Sequence, residues 1–370
     1  MRQLVALAMP GGPAFVDALQ RIWDNGDGVF PLDLRLPASA RARVLHAMSP
    51  AALVNETGER VRLADARPVE DGDALVVATS GSSGEPKGVV LTHAAVLASA
   101  QATTLRIGRD PNDHWLACLP LAHVGGLAVV TRALAMDIPL TVLTRVDADE
   151  IRASEATLVS LVPAALGRVD IDQFRMIVLG GSRPPADRPS NSVATYGMTE
   201  TGSGIVYDGF ALDGVRLRVV DGQIEVRGDM LLRCYRNGVN PKSADGWLPT
   251  GDLGSLADDG RLSVFGRAGD LIITGGENVW PEQVEAVLAR HPAVADVAVV
   301  GVPDPQWGQT VSAVIVPVDR AQSPSLDALR DWVKAELPAF CAPHRCTSIE
   351  QIPRTALGKI RRGELAALIE

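Results

Sequence analysis

The sequence predicts an α/β protein: a large layered N-terminal α/β domain with a β-rich subdomain, followed by a small α+β C-terminal domain. Three observations carry this. Short runs rich in Val, Ile and Leu alternate with helical stretches between residues 74 and 179, as buried, largely parallel strands do. Hairpins crowd the stretch after Gly214, with turns at Asp221-Gly222 and around Asp258-Asp259-Gly260. From Leu271 a separate helix-and-strand pattern begins. With 370 residues, 46% hydrophobic and 21% charged, the chain can fill a large core and exceeds one typical domain. The expected domains are residues 1–268 and 269–370.

The elements follow in order. Residues 13–24 read as a helix with Phe15, Val16, Leu19, Ile22 and Trp23 on one face, stopped by Asn25-Gly26-Asp27-Gly28. Pro37-Ala38-Ser39 opens a second helix carrying Val44, Leu45 and Met48, and polar, turn-rich sequence follows. A buried strand at 74–77 empties into Thr79-Ser80-Gly81-Ser82-Ser83-Gly84-Glu85-Pro86-Lys87-Gly88, after which Val89-Val90-Leu91 starts another β-rich run. Helices are expected at 93–107 and 126–136, and strands at 115–119, 140–143, 157–161 and 176–179. Later come a hairpin of 215–220 with 223–226 and a second within 251–266. The helix at 281–290 has Pro in its first turn. Strands at 294–302 and 310–316, a helix at 326–337 and a short final helix complete the chain. Several strands end in polar or glycine-rich turns, at 120–123, 180–182 and 196–200. Ligands of open α/β sheets bind beyond such carboxyl ends.

A net charge of −9 without a dense Lys/Arg block excludes nucleic acid and anionic membrane as the main partner, and leaves polyanionic small molecules. Cys118, Cys234, Cys341 and Cys346 are scattered with no CxxC pair, which fits reduced thiols in a cytoplasmic protein. Residues 4–9 are too short for a signal h-region and lack a basic flank. No apolar run approaches a membrane span, so no membrane insertion is expected.

The 79–88 stretch has the composition of a phosphate-binding loop. Its glycines let backbone N–H groups approach an anion, its hydroxyls add donors, and Lys87 adds a point charge. It is not a GxxxxGK[ST] loop, because Pro86 precedes the lysine and Gly88 follows it. Taken alone it is as readily a surface turn.

The loop has company. TSGSSGEPKGV resembles the phosphate loop of the adenylate-forming superfamily, which includes acyl-CoA synthetases, luciferases and adenylation domains. Tyr196-Gly197-Met198-Thr199-Glu200 resembles that family's YGxTE segment, and Thr250-Gly251-Asp252 its TGD segment. Gly266-Arg267-Ala268-Gly269-Asp270, with Ile273-Thr274-Gly275-Gly276-Glu277-Asn278, resembles its hinge and the loop beyond. Pro353-Arg354-Thr355-Ala356-Leu357-Gly358-Lys359-Ile360 resembles its terminal segment. Five motifs in family order cover nearly the whole chain, although the region before residue 70 is shorter than in most relatives.

The resemblance implies a two-step reaction. A carboxylate attacks the α-phosphorus of ATP to give an acyl-adenylate, and a thiol, usually coenzyme A, then takes the acyl group. It implies that Thr79, Ser80, Gly81, Ser82, Ser83, Gly84 and Lys87 hold the β- and γ-phosphates, with Tyr196 and Gly197 completing the ATP site. Thr199 would bond the α-phosphate, and Glu200 would hold Mg2+, a cation that takes a carboxylate plus phosphate oxygens. Asp252 would accept from the ribose hydroxyls, Arg267 would reach ribose or phosphate, and Asp270 would be the hinge. Gly275 and Gly276 would line the coenzyme A passage. Lys359 would bridge the attacking carboxylate and the α-phosphate. Outside these motifs, Thr199-Glu200 reads more readily as a helix cap and Lys359 as a surface lysine, and Asp252 as an ordinary turn aspartate.

By the same resemblance, the acid pocket would be formed by His123, Gly180, Gly181, Ser182, Tyr196 and Thr201. The compact chain and TYGMTETGSGIVYDG look most like the o-succinylbenzoate–CoA ligases of menaquinone biosynthesis. The alternatives are another aryl- or acyl-CoA ligase, or a stand-alone adenylation module that loads a carrier protein. An acid with a second carboxylate needs a polar or cationic group deep in the pocket. His123 and Thr201 are the candidates, and no arginine can be assigned from the sequence. The expected partners are small molecules (ATP, an aryl acid and coenzyme A), and a homodimer is an expectation carried by the resemblance alone. Lys359→Ala is expected to abolish adenylate formation yet spare thioester formation from supplied acyl-adenylate, which separate assays of the two half-reactions would check.

Overall fold

The structure, a computed structural model, describes residues 1–80, 86–182, 184–185, 187–354 and 360–369, with only the backbone described at Ser80. Continuous apolar runs become strands covered on both faces. One seven-stranded sheet has the order Cys234–Tyr235, Pro86–Thr92, Asp73–Ser80, Gly28–Pro31, Leu4–Ala8, Ala52–Asn55, Arg60–Arg62. Its middle is parallel, and Pro86–Thr92 folds back antiparallel on Asp73–Ser80. The run at 4–9, dismissed as a leader on length, is a central strand: Leu4, Val5, Ala6 and Leu7 are fully buried. The polar stretch before residue 70 likewise supplies two strands that the sequence reading did not expect.

The second seven-stranded sheet has the order Phe210–Ala211, Gly204–Tyr207, Ser192–Gly197, Met176–Leu179, Leu158–Leu161, Trp115–Ala117, Leu140–Val142. It is parallel from Ser192–Gly197 through Leu140–Val142, and its other two strands are antiparallel. Two helices lie between the sheets. His93–Ile107 packs on Asp73–Ser80 and Pro86–Thr92, while Val124–Met136 packs on Trp115–Ala117 and Leu158–Leu161 and on the first helix. A helix covered from two sides must be apolar nearly all round, and Leu127, Val129, Val130 and Ala133 are all buried. Thr92 caps the first helix, its Oγ1 accepting from Ala95 N at 3.1 Å.

The chain divides into two compact units. One holds residues 1–217, 226–248 and 259–261; the other holds 218–225, 249–258 and 262–370. The division is not a single cut, because much of the four-stranded hairpin sheet Arg216–Val220, Gln223–Arg227, Leu248–Leu256, Leu262–Arg267 groups with the C-terminal residues. In the second unit, Val294–Asp304 and Gly308–Pro317 form a long antiparallel pair along one side of a five-stranded sheet. Period-two alternation serves both of its faces. Val297, Val299, Val311, Ala313 and Ile315 pack with residues of Pro281–Leu288 and Leu326–Lys334, and Ala298, Val300, Val302 and Val314 pack with Ile352 and Leu365.

The entry to the helix Val124–Met136 has no spare room. A Cβ on Gly126 would collide with the Leu119 carbonyl oxygen and lie 2.7 Å from that of Pro120. Gly126→Ala is therefore expected to destabilise the chain by about 1–3 kcal/mol, seen as a lower thermal midpoint. Gly125→Ala, whose Cβ would meet only Leu119 Cδ1 at 3.6 Å, is the tolerated control.

Candidate active site

The loop-bearing hairpin is built on buried valines. Val76, Val77, Val89 and Val90 fix the two strands, and Thr79 pairs with Lys87 where they open. Gly81, Ser82, Ser83 and Gly84 lie outside the described residues. Thr79 Oγ1 lies 3.4 Å from the Lys87 carbonyl oxygen, to which it donates. Gly88 is glycine for packing, since a Cβ there would sit 2.5 Å from Met48 Sδ and 2.8 Å from Arg236 Cβ. The Lys87 ammonium lies over the Tyr235 ring, 5.4 Å from its centroid.

Tyr235 also reaches Glu200: its hydroxyl donates to Glu200 Oε1 at 3.0 Å. Glu200 sits on a tight turn between Ser192–Gly197 and Gly204–Tyr207, where the register shifts at Tyr196/Gly197. Thr199–Thr201 forms one 3₁₀ turn, and a Cβ at Gly197 would collide with Ser203 O. Tyr196 is half-buried in the strand opposite Val206, and Thr199 is half-buried beside Glu200. Thr201, expected to face the acid, is fully buried. Its hydroxyl accepts from Met198 N at 2.9 Å and lies 2.8 and 2.7 Å from the Met198 and Ser203 carbonyl oxygens. Those bonds leave it to hold the turn.

The other acid-side candidates sit on different elements. His123 precedes the helix Val124–Met136, with Nε2 3.4 Å from Asp33 Oδ2. Burial opposes ionisation of Asp33, but hydrogen bonds from His123 and Arg35 outweigh it and hold the carboxyl below the usual carboxylate range. Gly180 donates its amide to Leu161 O, Gly181 has φ 85°, and Ser182 is exposed. None of these lines the narrow cavity between the two central helices. That cavity is lined by Leu91, Ser99, Leu127, Gly202 and Arg132 among others.

Arg132 is the residue that sequence reasoning missed. It is 2% exposed. Its Nη2 donates to Ser203 Oγ at 3.1 Å, and its guanidinium carbon lies 5.0 Å from the Trp115 ring centroid. Its Nε and Nη1 are buried with no hydrogen-bond partner among the described residues. Arginines inside apolar helices read as surface residues, so the only signal was a charge within VGGLAVVTRALAM. Asp33 and Tyr235 were missed for the same reason: each owes its place to a partner far along the chain.

In the second unit, antiparallel pairing of Leu248–Leu256 with Leu262–Arg267 sets Asp252 opposite Arg267, and Arg267 Nε lies 2.8 Å from Asp252 Oδ1. Asp252 is 7% exposed and its amide donates to Thr250 Oγ1 at 3.1 Å. Asp270, in a 3₁₀ turn, lies 3.8 Å from Arg362, which pairs with Glu282 at 2.8 Å and Glu285 at 3.1 Å. Gly275 and Gly276 have φ 59° and 86°, and a Cβ on Gly275 would press on the Trp307 ring at 2.7 Å. Lys359 lies outside the described residues. Its flanks are tied by a bridge between Arg354 and Ile360 and by an Arg354–Asp296 pair at 2.7 Å.

In the first unit, a carboxylate on a rigid turn and a lysine on the neighbouring hairpin suit the phosphates of a nucleotide. Family models agree: "AMP-binding enzyme" matches residues 57–235 and "AMP-binding enzyme C-terminal domain" matches 283–359. The chain belongs to the AMP-binding, adenylate-forming enzymes. It is 39% identical to a probable 2-succinylbenzoate–CoA ligase of Mycobacterium tuberculosis, over 97% of each chain. Among solved structures it resembles the o-succinylbenzoate CoA synthetase of Bacillus subtilis in complex with its acyl-adenylate, at 27% identity and TM-score 0.87, covering 99% of this chain and 88% of that one. The same Bacillus enzyme with ATP and magnesium ion matches at 28% identity and TM-score 0.87, covering 99% and 90%.

The Arg362 cluster makes a pH-dependent test. Burial pushes the Glu285 carboxyl up to about 7; Arg362 opposes this and Glu282 reinforces it. Between the ordinary value of 4.5 and about 7, the folded chain holds a proton that the unfolded chain has lost. Stability from this group therefore falls as pH rises through that window. Glu285→Gln is expected to remove the fall, gaining on wild type by at most about 3 kcal/mol between pH 4.5 and 8. Denaturant melts of both proteins across that range check it.

Proposed function

We propose that this chain is an ATP-dependent 2-succinylbenzoate–CoA ligase that serves menaquinone biosynthesis. The observation that carries the substrate is Arg132. A guanidinium buried without a carboxylate is costly unless something anionic completes it. Here two of its nitrogens have no partner among the described residues, and the cavity it lines is otherwise largely apolar. The charge of an aromatic acid with a second carboxylate fits, its non-reacting carboxylate meeting Arg132; the cavity, about 10 Å³ as it stands, must widen between the helices to take the ring. 2-Succinylbenzoate has that chemistry, and relatives over nearly the full chain bear its name.

In the first step an oxygen of the reacting carboxylate bonds to the α-phosphorus, and the bond to the β-phosphate oxygen breaks, releasing pyrophosphate. In the second, the sulfur of coenzyme A bonds to the acyl carbon, and AMP leaves with the electron pair of the broken C–O bond. We assign Thr199 to the α-phosphate, Lys87 and the 79–84 loop to the β- and γ-phosphates, and Asp252 with Arg267 to the ribose. Lys359 neutralises charge on the attacking groups in the first step. Asp270 is the hinge of this reading, at the boundary of 1–268 and 269–370, and the Gly275-Gly276 turn is the coenzyme A passage. His123, held by Asp33, and the Gly180–Ser182 segment remain on the acid side of this assignment.

Magnesium fits the residues present. Glu200 offers a hard carboxylate oxygen, and no group of three or more His, Cys, Asp or Glu side chains able to hold a metal occurs among the described residues. Phosphate oxygens and water complete such a site. The ion, when bound, offsets phosphate charge. ATP and coenzyme A are cytoplasmic substrates, and four free cysteines suit that reducing compartment.

The test is coenzyme A-dependent AMP release with 2-succinylbenzoate and with benzoate. Wild type is expected to use the first acid only. Arg132→Met is expected to lower kcat/KM for 2-succinylbenzoate by about 100-fold or more, and to leave benzoate use no worse. Equal use of both acids by wild type, or no effect of the substitution, would overturn the assignment.

A further inference from the structure

Tyr235 is held by more structure than a loop residue needs. It is the second residue of a two-residue strand, paired with Val89 on the loop-bearing hairpin. The next side chain, Arg236, is buried and donates to the carbonyls of Met48 at 3.0 Å and Pro68 at 2.7 Å, and to that of Arg67. The chain just before it is tied to the glutamate turn, with Leu232 N donating to Glu200 O at 2.8 Å. Lys242 Nζ donates to Arg233 O at 3.2 Å and to Leu232 O. The phenol is therefore set by a rigid backbone, and its hydroxyl donates to Glu200 Oε1.

We propose that Tyr235 is a positioning residue that aims the Glu200 carboxylate at the magnesium ion of the bound nucleotide. This rests on the adenylation reading of the site. The choice of a phenol matters. A cationic donor would hold the carboxylate equally well but would cancel the charge a divalent ion needs. A neutral hydroxyl fixes one oxygen and keeps the full negative charge for the other. Second partners of this kind orient metal-binding carboxylates elsewhere. The Lys87 ammonium over the same ring, 5.4 Å from its centroid, polarises the phenol and strengthens its hydroxyl as a donor. Tyr235 thus connects the lysine of the phosphate loop to the carboxylate of the metal site.

The test is calorimetric binding of ATP, in EDTA and over a series of Mg2+ concentrations, so that no turnover is needed. Tyr235→Phe keeps the ring and removes the hydroxyl. It is expected to raise the Mg2+ concentration for half-maximal enhancement of ATP binding by about tenfold, with binding in EDTA unchanged. Glu200→Gln should remove the enhancement, and the double variant should match Glu200→Gln alone. An unchanged Mg2+ curve, equal weakening with and without Mg2+, or additive effects in the double variant would each overturn the proposal. Wild type that shows Mg2+-enhanced ATP binding but makes no thioester from 2-succinylbenzoate would refute the substrate assignment and leave this one standing.

Discussion

Burial of a single guanidinium constrains the first unit more than any other charge. Removing one partner of a buried ion pair costs about 3–5 kcal/mol, and Arg132 has no carboxylate partner among the described residues. The fold answers with what neutral chemistry offers: the face of Trp115 and the hydroxyl of Ser203. Both supports are themselves fixed by the sheet, Trp115 as a fully buried strand residue and Ser203 by the closed turn that carries Glu200. The helix that carries Arg132 must then be apolar on nearly every other face, which explains why Val124–Met136 reads as a core helix with one anomalous charge. In the proposed function, selectivity for a dianionic acid is a cost built into the core and offset when the acid binds.

The same region shows how far the amino-acid sequence could be read. The helices Pro13–Asp24, with its apolar face and glycine stop, and His93–Ile107 were legible to the residue. The strand Leu4–Ala8 was not, because a fully buried parallel strand lacks alternation and a short apolar run near a terminus invites other readings. Ligand motifs were legible because their residues are consecutive. Arg132, Asp33 and Tyr235 were hidden because each acquires its role from a partner that only the fold brings near: Ser203, His123 and Glu200.

Residue type also misled where two demands coincide. Glycine near a phosphate loop suggests close approach of a ligand, yet Gly88 answers to Met48 and Arg236, and Gly197 to its own turn. Thr201 has the hydroxyl that a polar acid would want, but the turn takes it first. A tight turn that presents a carboxylate needs internal donors and acceptors, and those nearest in sequence are consumed by it.

Each of the two large sheets also finishes in very short strands. Cys234–Tyr235 and Phe210–Ala211 are two residues long, and Arg60–Arg62, with two exposed arginines, is three. An edge that brief offers little template for a foreign strand, which guards a sheet-rich chain against edge-to-edge aggregation. At one of these edges the guard is also equipment: the two residues that close off the first sheet include the phenol that holds Glu200. Lengthening that edge to gain stability would disturb the tyrosine, so resistance to self-association and the aim of the carboxylate are inherited together.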